Sequence, residues 1–203
     1  ARALLRPGDA VAVEQFGYRP AWEAFRGAGA TVVPVVIDRE GIDVHALTRL
    51  AERTALRAVY VTPHHQYPTT VTLKAARRLA LLAFAAREGA FVVEDDYDGE
   101  YRYEGRPVPS LQGLDRAGCV FYVGTASKLL FPSLRIGWLV VPEPWLRAFA
   151  LAKAYTDTGS ATLEQLALAD FIDGGHLERH VRRARVRNAA RREALHAAVS
   201  RHL

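Results

Sequence analysis

Phe91-Val92-Val93-Glu94-Asp95-Asp96-Tyr97-Asp98-Gly99-Glu100 is the stretch that decides the fold. Three apolar residues with no polar face run straight into a burst of charge. A strand that is apolar on both sides needs cover on both sides, which a parallel sheet between two helical layers provides. Similar short runs recur at 11–14, 31–36, 58–62, 119–123 and 136–141, and helical patterns lie between them at about 18–28, 43–53, 72–88 and 143–155. Gly89 reads as the C-terminal stop of the third helix. From Thr162 onward the pattern is helical, with Gly174-Gly175 breaking it before a long last helix. The expectation is an α/β chain: a three-layer αβα sandwich around a mostly parallel, mixed sheet. Ligands on such sheets sit at the carboxyl ends of the strands, where this charge lies.

Composition narrows the function classes. The chain has 203 residues, half of them hydrophobic and 24% charged, as in an ordinary soluble domain. No apolar run reaches the ~18 residues of a membrane span and the first residues lack a signal-peptide core, so a cytoplasmic protein without membrane partners is expected. The one cysteine, Cys119, lies in an apolar run and reads as a small buried hydrophobe; no metal site is expected. The net charge of +5 is local, because residues 178–203 carry eight arginines against Glu178 and Glu193, leaving 19 basic and 20 acidic side chains elsewhere. That basic helix lacks the aromatics of a nucleic-acid surface and reads as a solvated face or a contact with further chain. The chain contains no methionine and reads as part of something longer.

Two segments carry chemistry. In Glu94 to Glu100 five carboxylates crowd a strand end, and clustered carboxylates repel unless a cation sits among them. A solvated acidic turn is the competing reading. In Gly124-Thr125-Ala126-Ser127-Lys128-Leu129-Leu130-Phe131-Pro132-Ser133-Leu134-Arg135-Ile136-Gly137-Trp138, small hydroxyl residues precede a lysine with apolar sequence neighbours, and an arginine follows. A neutral amine is what carbonyl condensation requires. Thr125, Ser127 and Arg135 offer two hydroxyls and a fork of donors, a set suited to a phosphate. A surface lysine beside a loop arginine would explain either residue alone.

The Ser127-Lys128 segment with Pro132, Leu134-Arg135 and Gly137-Trp138, placed 33 residues after Asp95, resembles the cofactor-lysine region of fold-type I aminotransferases. More narrowly, Thr62-Pro63-His64-His65-Gln66-Tyr67-Pro68-Thr69 and Glu94 to Tyr103 resemble the aminotransferase-like domain of the MocR/GabR branch of GntR-type transcription regulators. The resemblance spans essentially the whole chain and implies the large domain of such a protein, binding pyridoxal 5'-phosphate (PLP). It implies that Lys128 forms the Schiff base, Asp95 pairs with the pyridine nitrogen and Tyr97 meets the ring's phenolic oxygen. Thr125, Ser127 and Arg135 would hold the phosphate, and Tyr18 would stack on the ring. His65 matches a histidine of the branch without an assignable role. Thr70 stands where the family usually has glycine, which puts that turn in question, and His64 stands where serine is common.

The resemblance further implies a phosphate loop upstream, a substrate-carboxylate arginine downstream, a homodimer, and contact with DNA only through a winged-helix domain outside these residues. Two functions follow from it: a sensor of a small amino acid or amine, or an aminotransferase acting on an amino acid and a 2-oxo acid.

Overall fold

The computed structural model describes residues 1–103 and 108–202. Strands β1 (Ala10–Glu14), β2 (Thr31–Val35), β5 (Leu56–Val61), β6 (Phe91–Asp96), β7 (Val120–Thr125) and β8 (Gly137–Val140) form one sheet in the order β2-β1-β5-β6-β7-β8. The first five run parallel, and only β8 runs antiparallel, against β7. A two-stranded ribbon, β3 (Ile37–Asp38) and β4 (Gly41–Ile42), stands apart from it. The helices are α1 (Arg19–Arg26), α2 (Val44–Ala51), α3 (Ala75–Glu88), α4 (Leu111–Leu114), α5 (Leu146–Asp157), α6 (Thr162–Asp173) and α7 (His176–His202). Among the described residues no helix is long and apolar enough to cross a membrane.

The period of two along each strand builds two cores. Ala10, Ala12, Val59, Val61, Val92 and Val120 face one way and pack with Leu47 of α2, Leu81 and Phe84 of α3, and Leu111 of α4. Val11, Val13, Ala58, Tyr60 and Phe121 face the other way and pack with Trp22 and Phe25 of α1 and Phe149 of α5. The sheet is therefore covered on both faces, as its apolar strands require. Local signals set the helix ends: Pro20 opens α1, Asp43 caps α2 by accepting from His45 N and Ala46 N, and Gly89 closes α3 at φ 62°. Cys119 is buried, and burial first, with Asp115 beside it, pushes its thiol up to about 11.

Some boundaries differ from the sequence expectation for a tertiary reason. The third helix begins at Ala75 instead of 72, because Lys74 is held extended (ψ 155°), with Leu73 N donating to Pro63 O and Lys74 N to Glu40 O. The fourth begins at Leu146, after a 3₁₀ turn over Glu143–Trp145 that carries Pro144. The β3–β4 ribbon and α4 were not expected at all.

The chain leaves β1 for β2 on one side and then crosses to β5 on the other, so the strand order reverses between β1 and β5. Such a switch point opens a crevice at the carboxyl ends of the strands. Glu14, Thr62, Asp95 and Thr125 all lie at those ends.

Candidate functional site

The acidic run is taken apart by the strand that carries it. Alternation puts Glu94 on the face of Val92, toward α3, and Asp95 on the opposite face, toward Tyr60 of β5. Glu94 is fully buried and accepts from Leu111 N and Gln112 N at 2.9 Å each, with the buried Arg78 guanidinium 3.8 Å away. Arg78 in turn donates to the carbonyls of Leu73, Pro63 and Pro109. Asp96 accepts from Tyr122 Oη at 2.8 Å and Gly99 N at 2.8 Å, and lies 3.3 Å from His64 Nδ1. Burial alone would raise the Asp96 carboxyl, but these partners hold it below its ordinary value, and Asp96 in turn raises His64 against burial. Asp98 meets His65 Nδ1 at 2.9 Å. The cations and donors that clustered carboxylates require are thus present, and a solvated acidic turn is not what forms.

Asp95 is left for the crevice. Tyr60 Oη donates to its Oδ2 at 2.5 Å, and among the described residues no hydrogen bond engages Oδ1. Burial raises the Asp95 carboxyl, Tyr60 counters this and Asp96 adds to it.

A cavity of about 310 Å³ opens here, lined by Tyr18, Thr62, Tyr67, Asp95, Tyr97, Thr125, Ser127, Lys128, Pro132 and Arg135. All seven residues singled out in the sequence line it, contributed by the turn after β1, the end of β6 with the turn after it, and the end of β7 with the segment after it. Lys128 and Arg135 are exposed in it, so the apolar sequence neighbours of Lys128 do not enclose its side chain. Leu129 is the neighbour that turns inward. Arg135 adopts the left-handed backbone (φ 53°) that closes a 3₁₀ turn over Pro132–Leu134. Thr125 Oγ1 accepts from Ser127 N at 3.1 Å, which ties the two hydroxyl residues together. Tyr97 donates its hydroxyl proton to His65 O at 2.8 Å. A larger open hollow of about 810 Å³, lined in part by His65, Asp98, Tyr101 and Arg192, shares none of these residues and brings no amine to a carboxylate.

Sequence reasoning missed Tyr60, Thr62, Tyr67 and Glu14. Tyr67 meets Tyr18 edge-on at 5.7 Å between ring centroids. Glu14 is 1% exposed and its Oε2 accepts from Thr62 N and Thr62 Oγ1 at 3.0 and 2.7 Å, while Oε1 is buried without a hydrogen-bond partner. Burial lifts its carboxyl to about 7, against the opposing pull of Thr62. A glutamate ending an apolar strand was the available signal. Thr70 adopts a left-handed conformation, at φ 62°, which glycine takes without strain and a β-branched residue does not.

The chain matches the family model "Aminotransferase class I and II" over residues 1–202. It is 42% identical over 203 residues to the probable rhizopine catabolism regulatory protein MocR of Rhizobium meliloti, covering 100% of this chain and 40% of that one. Its fold superposes on a Pyrococcus horikoshii kynurenine aminotransferase in complex with PMP (TM-score 0.93, 36% identity, 98% of this chain and 50% of that one). It likewise superposes on the α-aminoadipate aminotransferase LysN of Thermus thermophilus, complexed with N-(5'-phosphopyridoxyl)-L-leucine (TM-score 0.92, 30% identity, 98% and 52%). The chain therefore spans about two fifths of that curated relative and half of the solved chains.

Proposed function

Because this chain belongs to the aminotransferase class I and II family, we propose that its crevice binds PLP through Lys128 and serves as the amino-acid- or amine-sensing domain of a MocR-type transcription regulator. The observation that carries the reading is the convergence of seven residues of the right chemistry on one 310 Å³ cavity at the carboxyl ends of the sheet. The residues fit the group. Asp95 has one oxygen held by Tyr60 and the other available to a pyridine N–H, while two hydroxyls and a guanidinium suit a phosphate. The chain's other two lysines are engaged on the surface, Lys74 with Glu40 and Lys153 with Asp157.

When bound, PLP supplies an aldehyde that condenses with amines and a ring that withdraws electrons from the carbon beside them. The chain's residues do the rest. Lys128 supplies the amine that anchors it; Asp95 keeps a proton at the ring nitrogen; Arg135, Thr125 and Ser127 hold the phosphate; Tyr18 covers the ring face. Tyr97 would hydrogen-bond the ring's phenolic oxygen by turning toward it the hydroxyl proton that goes to His65 O here.

The regulator reading draws on the similarity to MocR along the entire chain. In it, residues 1–203 form one sensing domain of a homodimeric protein that touches DNA through a separate winged-helix domain. A second reading, a free-standing aminotransferase, draws on the 36% identity to the kynurenine aminotransferase. The deciding experiment loads the intact protein with PLP, reduces with borohydride and maps the labelled peptide. The label is expected on Lys128, with the visible absorption lost in Lys128→Ala; a label on Lys74 or Lys153 refutes the assignment. Amino-acid-dependent DNA binding without sustained 2-oxo acid release then selects the regulator, and steady turnover the enzyme.

A further inference from the structure

We infer that Tyr101 and His180 are positioning residues for Lys128, acting through the backbone carbonyl of Leu129. The inference rests on the reading of Lys128 as the PLP lysine. Leu129 O accepts from Tyr101 Oη at 3.1 Å and from the His180 ring Nε2 at 2.9 Å. A carbonyl oxygen has two lone pairs, and both are used here by side chains from other parts of the chain. Since a carbonyl can only accept, His180 must carry its hydrogen on Nε2.

The surrounding loop shows why this clamp matters. Lys128, Phe131, Pro132 and Ser133 are all exposed, and packing holds the segment through Ala126 and Leu129, which are buried. On the N-terminal side of Lys128, Ser127 N donates to Thr125 Oγ1 and Ala126 N to Ile136 O at the far end of the loop, and Leu130 N to Ala126 O spans the lysine. On its C-terminal side, side chains from outside the loop take hold. Tyr101 follows directly on the segment bearing Asp95 and Tyr97, and His180 lies on α7, where the adjacent Val181 and the next turn's Ala184 are buried. Arg185 of α7 also donates to Glu100 O, so one stretch of helix holds both cavity segments. A lysine side chain has four rotatable bonds, and the peptide that follows it sets the volume its Nζ can reach. The clamp therefore fixes the base from which Lys128 enters the cavity.

The test follows covalent capture of PLP. The Lys128 Nζ lone pair adds to the aldehyde carbon, the C=N bond forms and one water leaves; borohydride freezes the product for mass spectrometry. In the intact protein, Tyr101→Phe and His180→Phe are each expected to slow capture at Lys128 about fivefold, the loss of one ordinary hydrogen bond. His180→Gln, which restores an N–H donor, is expected to return the rate to within about twofold. Tyr101→Phe keeps the ring and so remains informative where His180→Phe loses its fold by circular dichroism. Wild-type capture rates in the folded variants overturn the inference, and so does equal impairment of His180→Gln and His180→Phe, which marks a merely structural histidine. A wild-type label on Lys74 or Lys153 instead refutes the reading of Lys128 itself, an outcome distinct from either.

Discussion

Asp95 and Asp96 stand side by side on β6, yet burial lifts the first carboxyl above its ordinary value while His64, Tyr122 and Gly99 N hold the second below it. Asp95→Asn is expected to weaken PLP retention by about 1.5–3 kcal/mol, the worth of a charge-assisted hydrogen bond. Asp96→Asn is expected to lower the melting temperature instead, since its three partners are all part of the protein. Equilibrium dialysis of PLP beside thermal melts separates the two, and the opposite pattern would mean that the other carboxylate serves the ring. Glu14 gives a pH signature. Its folded value of about 7 lies above the ordinary 4.5, so the stability it contributes is complete below 4.5 and lost as pH rises through 7. At ~1.4 kcal/mol per unit the loss is on the order of 3 kcal/mol. Glu14→Gln keeps an acceptor for Thr62 and is expected to flatten this decline in urea titrations at pH 5 and pH 8; an unchanged slope refutes it.

At the scale of elements, the turn between β5 and α3 shows a tertiary demand overriding local preference. Thr70 N donates to Gln66 O at 2.7 Å and Gln66 N to Val71 O, which obliges Thr70 to take positive φ despite its branched side chain. Thr70→Gly is expected to relieve ~1–2 kcal/mol of left-handed strain and return ~0.5–1 kcal/mol as unfolded-chain entropy. A net gain of about 0.5–1 kcal/mol in denaturant melts checks it; destabilisation would show that the Thr70 side chain contributes more than its backbone costs. Element type was legible from the sequence wherever a run was apolar on both faces, as in β6, or ended on a clear stop, as α3 does at Gly89. The start of α3 was not legible, because Lys74 is extended where contacts with Pro63 and Glu40, outside the helix, tie down the chain before it.

For the molecule as a whole, the cavity is open. Lys128 and Arg135 are exposed, and Tyr18 and Tyr67 remain 43% and 44% accessible. Water in such a site weakens each electrostatic contact. Residues 1–203 by themselves are therefore expected to hold PLP weakly, losing it on gel filtration, and to release no 2-oxo acid from a panel of amino acids. Sustained turnover by these residues would show that they already form a complete active site. The sequence by itself determined the layered architecture, because strands apolar on both faces admit few other arrangements. Through the family resemblance it also singled out seven residues, and these line one cavity. Only the tertiary structure decided which partners the other carboxylates of the acidic run take. Alternation sorts Glu94 from Asp95 but does not say which face holds Arg78 and which holds Tyr60. It alone revealed Tyr60 on Asp95 and His180 on the Leu129 carbonyl, since those partners lie 35 and 51 residues from the atoms they bind and meet only when the sheet and α7 are assembled.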